Sequence, residues 1–267
     1  MQGLSEIARR IRCDIVEMVH KAGSGHPGAS LSCADIVTAL YFDVMRIRPE
    51  EPDWPDRDRF ILSKGHACPV HYAALAHRGF FSREQLWTLR QIDSILQGHP
   101  NMRDTPGVDM TAGSLGNGLS CGVGMALGAK LNKQDLMVYV ILGDGELQEG
   151  AVWEAAMSAA HYGLNNLVAI VDDNGLQLDG RTCDVMNTCP LPDKWNSFCW
   201  QVVEVDGHNI PMLCQVLKDA RHSERPTCVI AHTVKGKGVS FMEDQCDWHG
   251  RWPTAEETAA ALRELGA

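Results

Sequence analysis

No apolar run in this chain approaches the roughly 18 residues of a membrane-spanning helix, and its opening segment MQGLSEIARRIR has no hydrophobic signal core. Nor is there any tract of Lys and Arg. With a formal net charge of −10, nucleic acid and anionic membrane surfaces are poor partners. None of the ten cysteines stands in a CxxC pair, which reads as reduced thiols of a cytoplasmic protein and excludes a disulfide framework. Cys13, Cys33 and Cys121 fall in apolar helical patterns and read as small core residues. Repeats, low-complexity tracts and linkers are missing too. What remains is 267 residues, 45% of them apolar, read as a single α/β domain over residues 1–267.

The chain is organised around residues 136–179, LMVYVILGDGELQEGAVWEAAMSAAHYGLNNLVAIVDDNGLQLD. Leu136–Leu142 is a short β-branched run closed by glycine, as expected of a strand buried on both faces of a parallel sheet. The turn Gly143-Asp144-Gly145 follows. Gln148–Tyr162 has Val152, Ala155, Ala156 and Ala159 on one helical face, and Gly163 suits the position just past its end. Asn166–Val171 reads as a second strand, running into Asp172-Asp173-Asn174-Gly175. This βαβ unit puts Asp144 and Asn174 at the carboxyl ends of neighbouring strands, the edge where open α/β sheets bind ligands. Both offer hard oxygens of the kind Mg²⁺ shares with phosphates. The glycines beside Asp144 let a phosphate approach the backbone, and a helix start favours its charge. Singly, GDG and DDNG are common turns; flanking one helix, they point to a Mg²⁺–diphosphate site.

Elsewhere, Leu4–Lys21 carries Ile7, Ile11, Ile15 and Val19 along one stripe and predicts an amphipathic helix. It should end in the loop of residues 22–28, where GSGHPG surrounds His26. Ser32–Met45 predicts a second helix, residues 46–58 a surface loop, and Arg59–Ser63 a strand leading to Lys64-Gly65-His66. Cys68–Arg78 reads as a helix stopped by Gly79, and Ser82–Trp87 as another, opened by a Ser82/Gln85 capping box. His99 lies in QGHPN. In Thr111–Leu131 the glycines 118, 122, 124 and 128 each cost a helix about 0.5–1 kcal/mol relative to alanine, so the helix must recover that by close packing or ligand approach. Cys183–Asn196 reads as irregular surface. Trp200–Val205 and Thr227–His232 read as strands around a helix at Pro211–Ser223, and Thr254–Leu265 as a terminal helix with a Thr254/Glu257 capping box. Lys235 and Lys237, in the TVKGKG loop, read as a solvated turn.

The run GDGELQEG…DDNGLQLDG, with GHPG, SKGHA, QGHP, GSLGNG and WHG around it, resembles the transketolases, enzymes that use thiamine diphosphate (ThDP). The resemblance runs from about His20 to Trp252. It implies a doubly wound, mostly parallel α/β sheet with helices on both faces. It also implies that Asp144, Asn174 and the Leu176 carbonyl hold Mg²⁺ (or Ca²⁺ or Mn²⁺) on the cofactor diphosphate. By the same resemblance Gly145 and His66 touch the diphosphate, and the Gly116 carbonyl receives the aminopyrimidine. Leu115, Gly143 and Glu146, in the same motifs, count with the cofactor-binding residues. His26, His99 and His249 face the reacting centre, His249 also touching the cofactor, and Glu149 joins a charge network across a subunit interface.

In that family the glutamate that activates the aminopyrimidine lies in a separate pyrimidine-binding domain, followed by a third domain. Neither is expected here. The resemblance therefore implies an N-terminal subunit of a split transketolase, transferring a two-carbon ketol unit from a ketose phosphate to an aldose. It would work with a C-terminal partner subunit, as a heterotetramer. Two other readings stay open. One is a subunit of another ThDP enzyme, similar to deoxyxylulose-phosphate synthase or 2-oxo acid dehydrogenase. The other is a non-catalytic module on the same scaffold.

Overall fold

The computed structural model describes residues 2–267. In chain order the helices and strands are α1 (Gln2–Ala22), α2 (Pro27–Ser32), α3 (Ala34–Ala39), β1 (Arg59–Leu62), α4 (Cys68–Arg78), α5 (Asn117–Leu131), β2 (Val138–Gly143), α6 (Gly150–His161) and β3 (Leu167–Asp173). There follow a small hairpin of β4 (Leu176–Gln177) and β5 (Gly180–Arg181), then α7 (Thr182–Val185), α8 (Leu191–Ser197), β6 (Gln201–Asp206), α9 (Ile210–Asp219), β7 (Thr227–His232) and α10 (Ala255–Glu264). Five strands form one sheet in the order β1-β2-β3-β7-β6, and each adjacent pair is parallel. The doubly wound fold expected from the sequence is the one observed.

Strand pleating sends alternate side chains to opposite faces. From β2 and β3, Val138, Val140, Leu142, Leu167, Ala169 and Val171 pack toward α5, α6 and α8. Tyr139, Ile141, Val168 and Ile170 pack toward α1, α3, α4 and α9. Helices on both faces explain why the central strands read as continuous apolar runs. Among the described residues no helix is long and apolar enough to cross a membrane.

Several local expectations hold closely. Gly79 takes φ +98° behind α4, and Thr254 and Glu257 form both halves of a capping box on α10. Others need correction. The helix expected over Ser32–Met45 is α3 preceded by a separate α2 and followed by a π turn at Leu40–Val44. Cys33, at φ −98° and ψ 13°, breaks the regular path, and Pro27 starts α2 because a missing N–H costs nothing in a first turn. Arg83–Thr88 is a 3₁₀ helix, and the Ser82 side chain makes no capping bond to it.

Cys183–Asn196 holds two short helices, and Trp195 is fully buried among Trp153, Trp200 and Leu191. The prolines and polar residues of that stretch hid the Leu191/Trp195 helical spacing. Cys121 is exposed. Side chains on Gly118 and Gly122 would come within 2.3 Å of Ser63 Oγ and 2.7 Å of Val140 Cγ2, so those two must face the sheet, and Cys121 turns outward.

Candidate cofactor site

β2 and β3 run in register, with Gly143 beside Asp172. Asp144 and Asn174 therefore leave the sheet side by side at its carboxyl edge. Asp144 is only 3% exposed. Its Oδ2 accepts the N–H of Gly175 at 2.9 Å and the hydroxyl of Thr182 at 3.2 Å. Burial, with the negative charges of Asp172 and Asp173, pushes its carboxyl up to about 7. A carboxylate so placed gains from a cation. Asn174 Oδ1 accepts the Leu176 N–H at 3.1 Å, and its Nδ2 donates to Asp172 at 3.2 Å. Asp144, Asn174 and Leu176 line one cavity of about 290 Å³, together with His66, Leu115, Gly143, Gly145, Glu146, Glu149, Lys235 and His249.

One carboxylate, one amide oxygen and one main-chain carbonyl make a hard-oxygen donor set. Among the described residues no group of three or more His, Cys, Asp or Glu could hold a metal by itself. Three protein oxygens leave part of an octahedral shell for phosphate oxygens and water, which is the Mg²⁺ habit. The backbone leaves space as well, since even the nearest atom to a Cβ added at Gly143 would be 3.6 Å away. The residues present thus fit a Mg²⁺–diphosphate group.

Two buried lysines, neither placed there by sequence reasoning, supply positive charge. Lys235 is 1% exposed, so the solvated-turn expectation is overturned for it. Its ammonium donates to the Leu176 carbonyl at 3.3 Å and to His249 Nδ1 at 3.0 Å. Burial, then the charge of Lys64, holds it down to about 8. Lys64 donates to the Ala29 carbonyl at 2.9 Å and is paired with the fully buried Asp172. Burial works against that ammonium, but Asp172 outweighs it and raises its pKa. Asp172 also accepts from Ser32 and Thr233, and so joins α2, the end of β1, the end of β7 and Asn174 at one point. A lysine in a Gly-rich loop reads as solvated because its burial depends on the fold around it.

Three of the four singled-out histidines meet. Ring centroids lie 5.1 Å apart for His26 and His66, 5.5 Å for His26 and His249, and 5.1 Å for His66 and His249. Burial first, and nearby positive charge second, hold His26 down to about 4, His66 to about 2 and His249 to about 3. All three are neutral near pH 7, each with one nitrogen able to accept a proton. His99 makes no ring contact with these three and lines a hollow with Gln97, Gly98, Asn101 and Arg103, yet it lies near enough to His26 to help lower it. His99 itself is lowered by burial and then by Arg90.

Glu146 is buried with both oxygens engaged. One accepts the Gly116 N–H at 2.8 Å and the Ser63 hydroxyl, the other the Gly143 N–H at 3.0 Å. It fastens the glycine loop to the strand ends. Gly116 has φ +83°, and a Cβ there would sit 2.7 Å from Glu149 Cβ. Glu149 is exposed at the cavity rim, beside Leu115.

The profile of the family "Transketolase, thiamine diphosphate binding domain" matches residues 4–267. The chain is 46% identical over 252 residues to a subunit of the apulose-4-phosphate transketolase of Phocaeicola vulgatus, covering 94% of this chain and 89% of that one. It is 44% identical over 263 residues to the 6-deoxy-6-sulfo-D-fructose transketolase subunit SqwG of Clostridium sp., covering 98% of this chain and 96% of that one. The solved transketolase of Leishmania mexicana superposes with a TM-score of 0.93 at 32% identity, covering 98% of this chain and 41% of that one. The chain thus spans about two-fifths of such a solved transketolase and most of the two subunits. From the parallel sheet, the cavity at its carboxyl edge and these likenesses together, the chain belongs to the transketolase family, as its thiamine diphosphate-binding domain.

Proposed function

We propose that this chain is the N-terminal subunit of a two-chain transketolase, active with a partner that carries the pyrimidine-binding domain. The convergence of Asp144, Asn174, the Leu176 carbonyl and Lys235 on one cavity carries this reading. Asp144 Oδ2 already accepts two hydrogen bonds, which leaves Oδ1 for Mg²⁺ beside the Asn174 and Leu176 oxygens. Lys235 would neutralise charge on the diphosphate and the neutral His66 would donate a ring N–H to it, with Gly143 and Gly145 admitting it to the backbone. Bound ThDP supplies a carbanion-stabilising centre.

Around that centre His26, His66 and His249 stay neutral and can orient sugar hydroxyls or hold a proton in transit. His249 Nδ1 faces the Lys235 ammonium, so its ring proton sits on Nε2. His99 serves the adjoining hollow, where the sugar enters. Glu149 and Leu115, at the rim, meet the partner, and two such pairs associate into a heterotetramer.

The substrate is a ketose with an anionic far end. By their names, two relatives of nearly equal identity act on a 4-phosphate and on a 6-sulfo sugar. A cytoplasmic location accords with ten free thiols. The test mixes the chain, its partner subunit, Mg²⁺ and ThDP, and follows transfer from a ketose phosphate to an aldose. The pair should turn over and either chain alone should not. Full ketol transfer by the isolated chain would refute the split arrangement, and pyruvate decarboxylation without ketol transfer would favour a deoxyxylulose-phosphate synthase-like enzyme.

A further inference from the structure

Lys235 is carried by the loop Thr233–Gly238, which leaves β7 and has no regular partner strand. Holding a lysine buried there opposes its rotamer and backbone entropy, and side chains from distant elements hold both flanks. On one side the Val234 N–H donates to Nε2 of His208 at 2.9 Å. On the other, Nε of Arg12 donates to the Lys237 carbonyl at 3.1 Å.

Both holders converge on one carboxylate. Asp35, on α3 and 5% exposed, receives the two ends of the Arg12 guanidinium at 3.0 and 2.6 Å. Its Oδ2 also meets His208 Nδ1 at 2.8 Å. Because Val234 presents an N–H, Nε2 of His208 must be bare. The ring proton is therefore on Nδ1 and is donated to Asp35, so a single tautomer satisfies both contacts. A third tie, from the Gly236 N–H to the Gly28 carbonyl at 3.1 Å, brings the loop against α2.

We propose that His208, fixed by Asp35 and Arg12, is a positioning residue that sets the Lys235 ammonium in the diphosphate cavity. This rests on the cofactor reading above. His208 touches neither cofactor nor sugar in that reading and acts only through the loop. Losing it weakens capture of the diphosphate and leaves turnover at saturating cofactor nearly intact. Glutamine can replace both contacts, accepting from Val234 through Oε1 and donating to Asp35 through Nε2, whereas leucine can make neither.

The experiment compares wild type, His208→Gln and His208→Leu. Hydrogen exchange is read on the cofactor-free chain, and half-saturation by ThDP and kcat on the chain reconstituted with its partner. In His208→Leu the amides of residues 234–238 should exchange on the order of tenfold faster while β2 and β3 keep their protection. Half-saturation by ThDP should rise on the order of tenfold, with kcat within about twofold. His208→Gln should restore both. Arg12→Lys, which cannot grip Asp35 and the Lys237 carbonyl together, should loosen the same segment and gives an independent reading should His208→Leu fail to fold. Wild-type protection of the loop in His208→Leu, or protection lost evenly across the sheet, would overturn the proposal. Exchange is read without cofactor, so failure of the wild-type pair to bind ThDP would sink the proposed function while leaving the latch standing.

Discussion

A carboxyl held up near 7 by burial and by two neighbouring aspartates is poised for a cation, and Asp144 is that group. Replacing it with asparagine keeps the shape and removes the charge. Asp144→Asn should weaken Mg²⁺-dependent ThDP binding by the reconstituted pair about 100-fold, comparable to the ~3 kcal/mol lost when one member of a buried ion pair is removed. Calorimetric titration with ThDP at fixed Mg²⁺ measures this, and unchanged affinity would contradict the metal assignment. Chelating the metal from the wild-type pair should release the cofactor in the same assay. Lys235→Met keeps the buried stem and loses the ammonium. It should weaken ThDP binding on the order of tenfold, as for loss of one charge-assisted hydrogen bond. Asp144 and Asn174 were legible because their motifs flank one helix. Lys235 was not, because nothing local to a Lys-Gly-Lys-Gly run says which lysine turns inward.

At the scale of elements, α5 shows how one residue type plays two parts. Gly118 and Gly122 lie against the sheet, whereas a Cβ at Gly124 or Gly128 would meet nothing within 4 Å. Gly118→Ala should therefore cost about 1–3 kcal/mol, the usual penalty of overpacking. Gly128→Ala should stabilise the isolated chain by about 0.5–1 kcal/mol through helix propensity. Denaturant unfolding of the two variants checks the contrast, and equal effects would contradict it. The sequence showed that the glycines needed compensation; which of them face the sheet required α5 to be seated on β2. α8 teaches the converse. Its Leu191 and Trp195 lie four residues apart in a proline-rich stretch that reads as irregular, and only the fold brings Trp200 to 4.9 Å from Trp195 and makes a core of them.

Across the whole molecule, burial holds four histidines well below their usual range: His26 to about 4, His66 to about 2, His71 to about 3 and His249 to about 3. Unfolded, each would take up a proton near pH 6.5. As pH falls below that value the unfolded chain binds protons that the folded chain refuses, so stability declines. Asp144 opposes this, since its raised pKa favours the folded state as pH drops from 7 toward 4, and the buried carboxyls of Asp109 and Glu146, also raised, act in the same direction. Because the histidines' unfolded value lies near 6.5 and four of them are held at about 4 or below, their loss dominates between pH 7 and 5, and the cofactor-free chain should melt at a lower temperature at pH 5 than at pH 7. A thermal scan at the two values decides it, with an equal or higher melting temperature at pH 5 as the contrary result.

The alternation of the five sheet strands with the main helices, the apolar strand cores, the GDG and DDNG turns and the helix stop at Gly79 were set by the sequence alone. Each depends on residues within a turn or two of one another, through pleat, helical period and backbone freedom. Only the tertiary structure decided that the rings of three histidines meet in one cluster with His99 beside them in its own hollow, that Lys235 is buried, and that Asp172 and Glu146 tie separate loops together. Those outcomes need residues far apart in the chain to arrive at one edge of the sheet, where their burial and charge depend on what the other strands and helices bring.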